Sequence, residues 1–240
     1  MAYAKLFDSS KCIACRGCQK ACKNWNQDPA EKTTNRGTHQ NPPDLSHQTR
    51  TVVRFKEQEG GDLGIIWTFF KDSCRHCIEP ACKMIADGTD EQAVVITDTG
   101  AVIYNERTAK VEGMNCGYNI PKQEKDGAPY VKCTLCFDRI TNGLQPACVT
   151  TCPTGALEFG KREDIVKLAL QRVEEAKKRY PDAHISSDYK EVNYIQVFHY
   201  KEDMFEMYAD REKQQKIKMA SRRDLLNPKK AAGMISKLLG

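Results

Sequence analysis

The sequence predicts an α+β fold built from short strands and short helices. Its twelve cysteines are gathered in tight groups along the first 152 residues. Short apolar segments separate these groups. Only 40% of the 240 residues are apolar, which is low for a chain that builds its core from side chains alone. We therefore expect bound metal to replace part of the core, and folding to be coupled to metal binding.

Apolar periodicity places the first strands in chain order. Residues 27–49 are polar, show little periodicity and are predicted to form a long loop. Residues 51–55 (TVVRF) and 65–70 (IIWTFF) have the composition of strands. Residues 94–97 and 101–104 form a hairpin signal, in which Gly100 supplies the turn.

A helix-strand-helix extension is predicted over residues 161–210. Apolar residues recur every three or four positions from Glu163 to Tyr180, which predicts an amphipathic helix that Pro181 ends. Residues 191–200 are a strand candidate, and residues 203–219 are predicted to form a further helix. We expect this extension to cover or dock the metal-bearing domain.

The cysteine spacing identifies the metal. One run has the form C-x2-C-x2-C-x3-C, and another ends in C-x3-C-P, which is the ligand pattern of ferredoxin-type [4Fe-4S] clusters. Residues 1–160 are therefore predicted to form a tandem ferredoxin-like domain. In this pattern the fourth cysteine of one run ligates the neighbouring cluster. The predicted ligands are Cys12, Cys15, Cys18 and Cys152 for the first cluster, and Cys22, Cys133, Cys136 and Cys148 for the second.

A third ligand set lies in the middle of the chain. Three cysteines form C-x2-C-x4-C, and a fourth stands alone in NCGYNIP. At the spacings of a complete four-group pattern, four further positions lack cysteine, and all four would have served one additional cluster. These positions are Ala86, Glu106, Ala109 and Glu112. The predicted ligands of the third cluster are Cys74, Cys77, Cys82 and Cys116, so twelve thiolates serve three clusters with none left over.

Other uses of the cysteines are less consistent with the pattern. Isolated C-x2-C pairs are also typical of zinc ribbons, so zinc is the alternative metal. The four-cysteine first run and the Cys152-Pro153 ending favour iron and sulfur. Disulfides are disfavoured, because tight C-x2-C pairs in a chain of this length indicate metal. His76, between Cys74 and Cys77, could replace a thiolate, although the cysteine set is complete without it.

Three basic residues stand beside predicted ligands. Arg16, Arg75 and Lys132 each neighbour a ligand cysteine in sequence. A cation at such a position favours the reduced and more negative cluster, unless the side chain is simply solvated. No dinucleotide, phosphate-loop or nucleophile-triad motif is present in the sequence.

The net charge of +5 comes from the end of the chain. Residues 211–240 hold nine Lys or Arg against two acidic residues, leaving 28 basic and 30 acidic residues in residues 1–210. Such a basic tail could bind nucleic acid, an anionic membrane surface or an acidic face of a protein. The alternative is an extension that is simply solvated or docked on a partner. The N-terminus lacks the apolar core of a signal peptide, and no segment reaches the roughly 20 apolar residues that span a bilayer. We expect a soluble chain.

Several segments resemble a known family. KCTLCFDR (132–139), PACVTTCPTGAL (146–157) and CRHCIEPAC (74–82) resemble signatures of the iron-sulfur electron-transfer subunits of molybdenum or tungsten bis-pterin oxidoreductases. CRGCQKACKNWN (15–26) and QNPPDLS (40–46) are similar to the beta subunit of formate dehydrogenase, particularly that of soluble enzymes of anaerobic bacteria. The resemblance covers residues 4–162. The transmembrane helix of membrane-bound relatives has no counterpart in the sequence.

The resemblance implies an electron-transfer subunit with no catalytic site of its own. Single electrons would pass through three [4Fe-4S] clusters between a large bis-pterin Mo/W subunit, which interconverts formate and CO2, and an external carrier of cytochrome c or ferredoxin type, or a further subunit. It also implies a heterodimer in the periplasm, co-exported with its partner, with the cytoplasm as the alternative. The same role for an enzyme reducing a sulfur, nitrogen or arsenic oxide is the first rival function. A zinc-binding interaction module, with its tail on nucleic acid, is a remote one.

The missing fourth cluster also predicts an order. Loss of a cluster from the middle of an electron path would leave a gap too long for rapid tunnelling, whereas loss from an end only shortens the path. We therefore expect the cluster of Cys74, Cys77, Cys82 and Cys116 to lie at one end.

Overall fold

The computed structural model describes residues 2–35, 37–61 and 64–207. Its strands are β1 (Tyr3–Asp8), β2 (Val52–Glu59), β3 (Ile65–Asp72), β4 (Val94–Ile96), β5 (Val102–Tyr104), β6 (Leu157–Lys161), β7 (His184–Ile185) and β8 (Tyr194–Phe198). Its α-helices are α1 (Gly17–Trp25), α2 (Ala81–Asp87), α3 (Phe137–Ile140), α4 (Ala147–Thr150) and α5 (Arg162–Lys177), and Glu106–Lys110 and Glu202–Met204 are 3-10 helices. Helices and small sheets together confirm the α+β class.

A four-stranded sheet with the order β6-β1-β8-β7 organises the molecule. Strand β1 pairs antiparallel with β6 and parallel with β8. Because side chains alternate along a strand, β1 presents two different faces. Ala4 and Leu6 pack against α5, whereas Lys5 and Phe7 face the cysteine-bearing side. The sheet therefore separates an ordinary apolar core from the metal-binding half.

Two antiparallel hairpins complete the strand structure. Strands β2 and β3 pair from Val52 opposite Asp72 to Glu59 opposite Ile65, and β4 pairs with β5. Gly100 adopts φ of +82° in the β4–β5 connection, a left-handed conformation that glycine adopts without strain. The hairpin predicted over residues 94–104 and the strands predicted at 51–55 and 65–70 are confirmed; the pairing of those two strands with each other was not predicted.

The predicted extension shares a sheet with the N-terminus. Strand β8 lies between β1 and β7, and α5 covers the sheet through Ile165, Ala169 and Val173. The helix and strand predicted here are confirmed, although α5 ends at Lys177, before Pro181. Strands β1 and β6 were not predicted from the sequence.

Other predictions have mixed outcomes. In residues 27–35 and 37–49 the structure shows no helix and only an isolated bridge between Ser46 and Thr49, as expected of a loop. The helix predicted over 203–219 is wrong for residues 203–207, where only a 3-10 turn that ends at Met204 forms. Its remainder and the basic tail 211–240 lie outside the described residues. Within the described ranges, no helix is both long and apolar enough to cross a membrane.

Candidate metal centres

The first predicted ligand set lines one cavity. Cys12, Cys15, Cys18 and Cys152 all line one cavity, together with Lys71 and Phe7. Cys18 lies on α1, whereas Cys152 follows α4. These two helices pack together and thereby bring the first and last cysteine runs to one place.

The second predicted ligand set lines another cavity. Cys22, Cys133, Cys136 and Cys148 line it together with Lys5 and Lys71. Cys22 comes from the first run, one helical turn beyond Cys18, so the two runs exchange one cysteine each. Among the described residues no three histidine, cysteine or carboxylate side chains converge on a single-ion site. Each cavity is instead lined by four cysteines, the donor set of a [4Fe-4S] cluster.

The four cysteines of the third predicted set lie close enough together to affect one another electrostatically. Burial and then the thiols of Cys74, Cys116 and Cys82 raise the pKa of Cys77 to about 12. Cys82 lies in the first turn of α2, and Cys116 lies in the segment after the Glu106–Lys110 helix. The four cysteines predicted for the third cluster are therefore neighbours in space.

A shared backbone feature supports the loops of all three sets. The residue two positions after the first cysteine of each run, namely Ala14, His76 or Leu135, has φ between 49° and 59°. The backbone N–H of this residue donates to the sulfur of the cysteine two positions earlier. The distance is 3.4 Å from His76 to Cys74 and 3.4 Å from Leu135 to Cys133, and Ala14 makes the same contact with Cys12. This left-handed turn curls the loop so that its N–H groups point at the thiolates.

The four positions that lack cysteine lie in apolar packing or nearer the surface. Ala86 is fully buried and packs with Ala93, Val94, Val102 and Val111 in a small apolar core. Glu106 and Glu112 are exposed, and Ala109 is half-buried. Apolar packing and protein surface thus occupy the region where the four-group pattern would place another cluster.

The contacts between sets run in one order. Cys148 of the second set lies in one apolar cluster with Cys12, Cys18 and Cys152 of the first. Cys133 of the second set lies in another apolar cluster with Cys74 and Cys116 of the third. The second set therefore contacts both of the others, and the end position of the third cluster stays a prediction.

Burial raises the pKa of six of the twelve cysteine thiols. Burial raises the pKa of Cys12 to about 11 and the pKa values of Cys18 and Cys136 to about 12. Cys133 differs, because burial is outweighed by the ammonium groups of Lys5 and Lys71, which lower its pKa. Metal binding must therefore displace protons from the buried thiols.

Two important side chains were not predicted from the sequence. Lys71 lines both cavities, and Lys5 lines the second. Lys5 stands in the alternating segment YAKLF and Lys71 at the end of IIWTFFK, where a lysine ordinarily faces solvent. The alternation of side chains along each strand predicts two faces, but it does not predict which face lies against the cysteines.

The three cations that the sequence did indicate have different surroundings. Arg75 is fully buried, forms an ion pair with Asp72 at 3.1 Å and lies 5.0 Å from the Tyr118 ring centroid. Lys132 is buried and donates to the carbonyl of Val102. Arg16 is half-buried and donates to the His39 carbonyl at 2.8 Å.

His76 is tied to the protein through one ring nitrogen. Its Nδ1 accepts from the Val102 N–H at 3.1 Å, while no partner is present for Nε2. Burial lowers the pKa of His76 well below its ordinary value, so the ring is neutral. The structure connects this ring to β5, and a ligand role for His76 stays untested.

Comparisons with known proteins agree on one kind of protein. A family described as a 4Fe-4S dicluster domain matches residues 65–162. Formate dehydrogenase 2 subunit beta (cytochrome c-553) of Nitratidesulfovibrio vulgaris is 42% identical over 217 residues, covering 87% of this chain and 99% of that protein. Formate dehydrogenase subunit beta of Megalodesulfovibrio gigas is 47% identical over 184 residues, covering 74% and 85%. The nitrate-inducible formate dehydrogenase iron-sulfur subunit of Escherichia coli is 37% identical over 246 residues, covering 99% and 82%.

Proposed function

Because the chain belongs to the family of formate dehydrogenase iron-sulfur (beta) subunits, we propose that it relays single electrons through three [4Fe-4S] clusters held by its twelve cysteines. The observation that carries the proposal is the pair of cavities, each lined by four cysteines drawn from both the first and the last run. A [4Fe-4S] cluster takes up and releases one electron at a time, and this is the chemistry that the bound group supplies.

The protein's own part is to hold, space and tune these groups. The thiolates bind, and the left-handed loops aim backbone N–H groups at the sulfurs. Phe7, Phe70 and Phe198 pack beside the first and second sets and exclude water from that side. Burial, hydrogen bonds and local charge together set each reduction potential.

The proposed partners lie at the two ends of this path. A large catalytic subunit with a bis-pterin molybdenum or tungsten centre would exchange electrons with one end while it interconverts formate and CO2. The name of the N. vulgaris relative pairs it with cytochrome c-553, so a c-type cytochrome is the carrier we propose for the other end. We further propose that the assembled subunits reach the periplasm by co-export.

Metal content tests the cluster number. The chain, purified without oxygen together with its catalytic subunit, is expected to contribute about twelve irons as three EPR-active clusters. Zinc in place of iron would refute the proposal, and about eight irons would refute the third cluster.

Single-cysteine variants test the crossed ligand assignment. Cys22→Ala and Cys148→Ala are expected to remove the same EPR signal, although the two residues belong to different runs. Cys18→Ala is expected to remove a different signal. If Cys22→Ala and Cys18→Ala removed the same signal instead, each run would hold its own cluster and the assignment would be wrong.

A further inference from the structure

Two buried ammonium groups lie beside the cysteine sets without a carboxylate partner. Lys5 is 0% exposed and Lys71 1% exposed. Lys71 donates to the Thr51 hydroxyl at 2.8 Å, and Lys5 donates to the Ser73 hydroxyl at 3.2 Å. Throughout residues 2–35, 37–61 and 64–207, neither lysine forms an ion pair with a carboxylate. The carboxylate next to Lys71 in sequence, Asp72, is engaged by two arginines.

Such an arrangement requires an anion from elsewhere. Removing an ammonium group from water costs several kcal/mol unless a negative group compensates. Neutral hydroxyls accept some of the ammonium N–H groups but do not neutralise the charge. Besides the phenol of Tyr194, whose ring centroid lies 3.8 Å from Lys5 Nζ and 5.6 Å from Lys71 Nζ, the nearby groups able to become anionic are the ligand thiols. Lys71 lines both cysteine cavities and Lys5 lines the second.

Lys71 is the better placed of the two lysines. It lines the cavities of both the first and the second ligand sets, whereas Lys5 lines the second alone. In each cavity Lys71 lies beside four cysteines, whose thiolates in the cluster-loaded protein would supply the negative charge that a buried ammonium group requires.

We propose that Lys71 is the shared counter-cation of the first and second clusters and raises the reduction potential of both. This inference rests on the ligand sets of the proposed function. A cluster with four thiolate ligands becomes more negative when it is reduced, and a cation held in a poorly screened interior stabilises that added charge. Because Lys71 stands in the wall common to both cavities, one side chain acts on two adjacent clusters.

The third cluster provides an internal reference. Its four cysteines line neither of the two cavities that Lys71 lines. Loss of the Lys71 charge is therefore expected to change two potentials of three. A general disturbance of the fold would move all three.

The decisive variant is Lys71→Met in the complete complex, followed by an EPR-monitored redox titration. In this variant the equilibrium constant for reduction is expected to fall more than tenfold for the first cluster and for the second. A tenfold fall lowers a one-electron reduction potential by about 59 mV. The third cluster, whose signal Cys116→Ala identifies, is expected to change less than threefold. Lys71→Arg keeps the charge and is expected to retain all three constants within threefold.

Lys20→Met is the matched control. Lys20 lies between Cys18 and Cys22 on α1 but is exposed to solvent. Solvent and salt screen an exposed charge, so this variant is expected to change each constant less than threefold. Iron content is measured for every variant.

Every outcome decides the proposal. Unchanged constants in a fully loaded Lys71→Met complex, or an equal shift in all three clusters, would overturn it. If Lys71→Met fails to assemble while Lys71→Arg assembles with normal potentials, a positive charge is required at position 71, which supports the proposal. Failure of both variants would show a packing role and overturn it. A wild-type complex without three clusters would instead refute the proposed function, which keeps the two failures distinct.

Discussion

At the scale of single residues, a left-handed backbone conformation recurs two positions after the first cysteine of each run. Ala14, His76 and Leu135 are not glycines, yet all adopt positive φ. A non-glycine residue in this region costs about 1 kcal/mol or more, so the surrounding structure must enforce it. The repeat of the same turn in the middle group supports a ligand role for Cys74 and its neighbours, despite the degenerate spacing that follows.

The third cluster can be removed on its own. Cys116→Ala is expected to lower the iron content by about a third and to slow electron transfer from formate to the carrier at least tenfold, because one end of the path is lost. Iron analysis and a coupled formate-to-cytochrome assay measure the two effects. Asn115→Ala, at an exposed neighbouring position, is the control and should change neither. Full iron content in Cys116→Ala would show that Cys116 is not a ligand.

His199 is expected to make stability depend on mildly acidic pH. Its Nδ1 lies 2.6 Å from the Ser9 hydroxyl, and burial lowers its pKa to about 4. A folded-state pKa below the unfolded value of about 6.5 means that the stabilisation is complete above that value and is lost as pH falls towards 4.

The size of this effect can be measured by comparison with His199→Asn. The wild-type complex is expected to lose on the order of 1 kcal/mol more than this variant when the pH falls from 7.5 to 5.5. Anaerobic denaturation at both pH values checks this. Equal losses in the two proteins would assign the acid sensitivity to other groups.

At the scale of elements, the sheet divides the molecule into two chemically different halves. One face of β1 and β8 packs on α5 through aliphatic side chains, and the other face contributes Phe7, Tyr194 and Phe198 beside the cysteines. The apolar core under α5 needs no metal. We therefore expect this half to tolerate substitutions according to ordinary packing rules.

The contact between α5 and the sheet gives a quantitative prediction. Ile165→Ala removes a side chain buried among Ala4, Leu6 and Ile195, and is expected to lower the free energy of unfolding by about 2–5 kcal/mol. Leu170→Ala, on the same helix at 46% exposure, is expected to cost no more than about 0.5 kcal/mol. Chemical denaturation of the two variants distinguishes them. Similar losses in both would mean that α5 is not held by this face.

At the scale of the whole molecule, the clusters are expected to be part of the core. Cysteines and apolar side chains line two pockets beside Lys71, so bound clusters would take the place of core side chains there. Removal of iron with a chelator and an oxidant is expected to abolish the cooperative unfolding transition of residues around the first and second sets. Hydrogen exchange measured by mass spectrometry checks this. Unchanged protection of α1 and α4 after iron removal would contradict it.

Much of the fold could be predicted from local pattern. The strands of the hairpins, the helix after residue 160 and the strand at 194–198 follow from periodicity, because one side of each element is buried against apolar neighbours. Strands β1 and β6 escaped prediction because their alternation is short and includes charged residues. The 203–219 prediction failed over 203–207 because apolar spacing alone does not overcome the local turn that ends at Met204.

The sequence by itself determined the family and the grouping of the cysteines, because loop wrapping around a cluster imposes a spacing that is local along the chain. The spacing also predicted that the first and last runs exchange a cysteine, whereas only the tertiary structure decided that the packing of α1 on α4 brings these distant runs together. The tertiary structure also decided that Lys5 and Lys71 face the thiols. Alternation marks the two faces of a strand, but packing determines what each face meets.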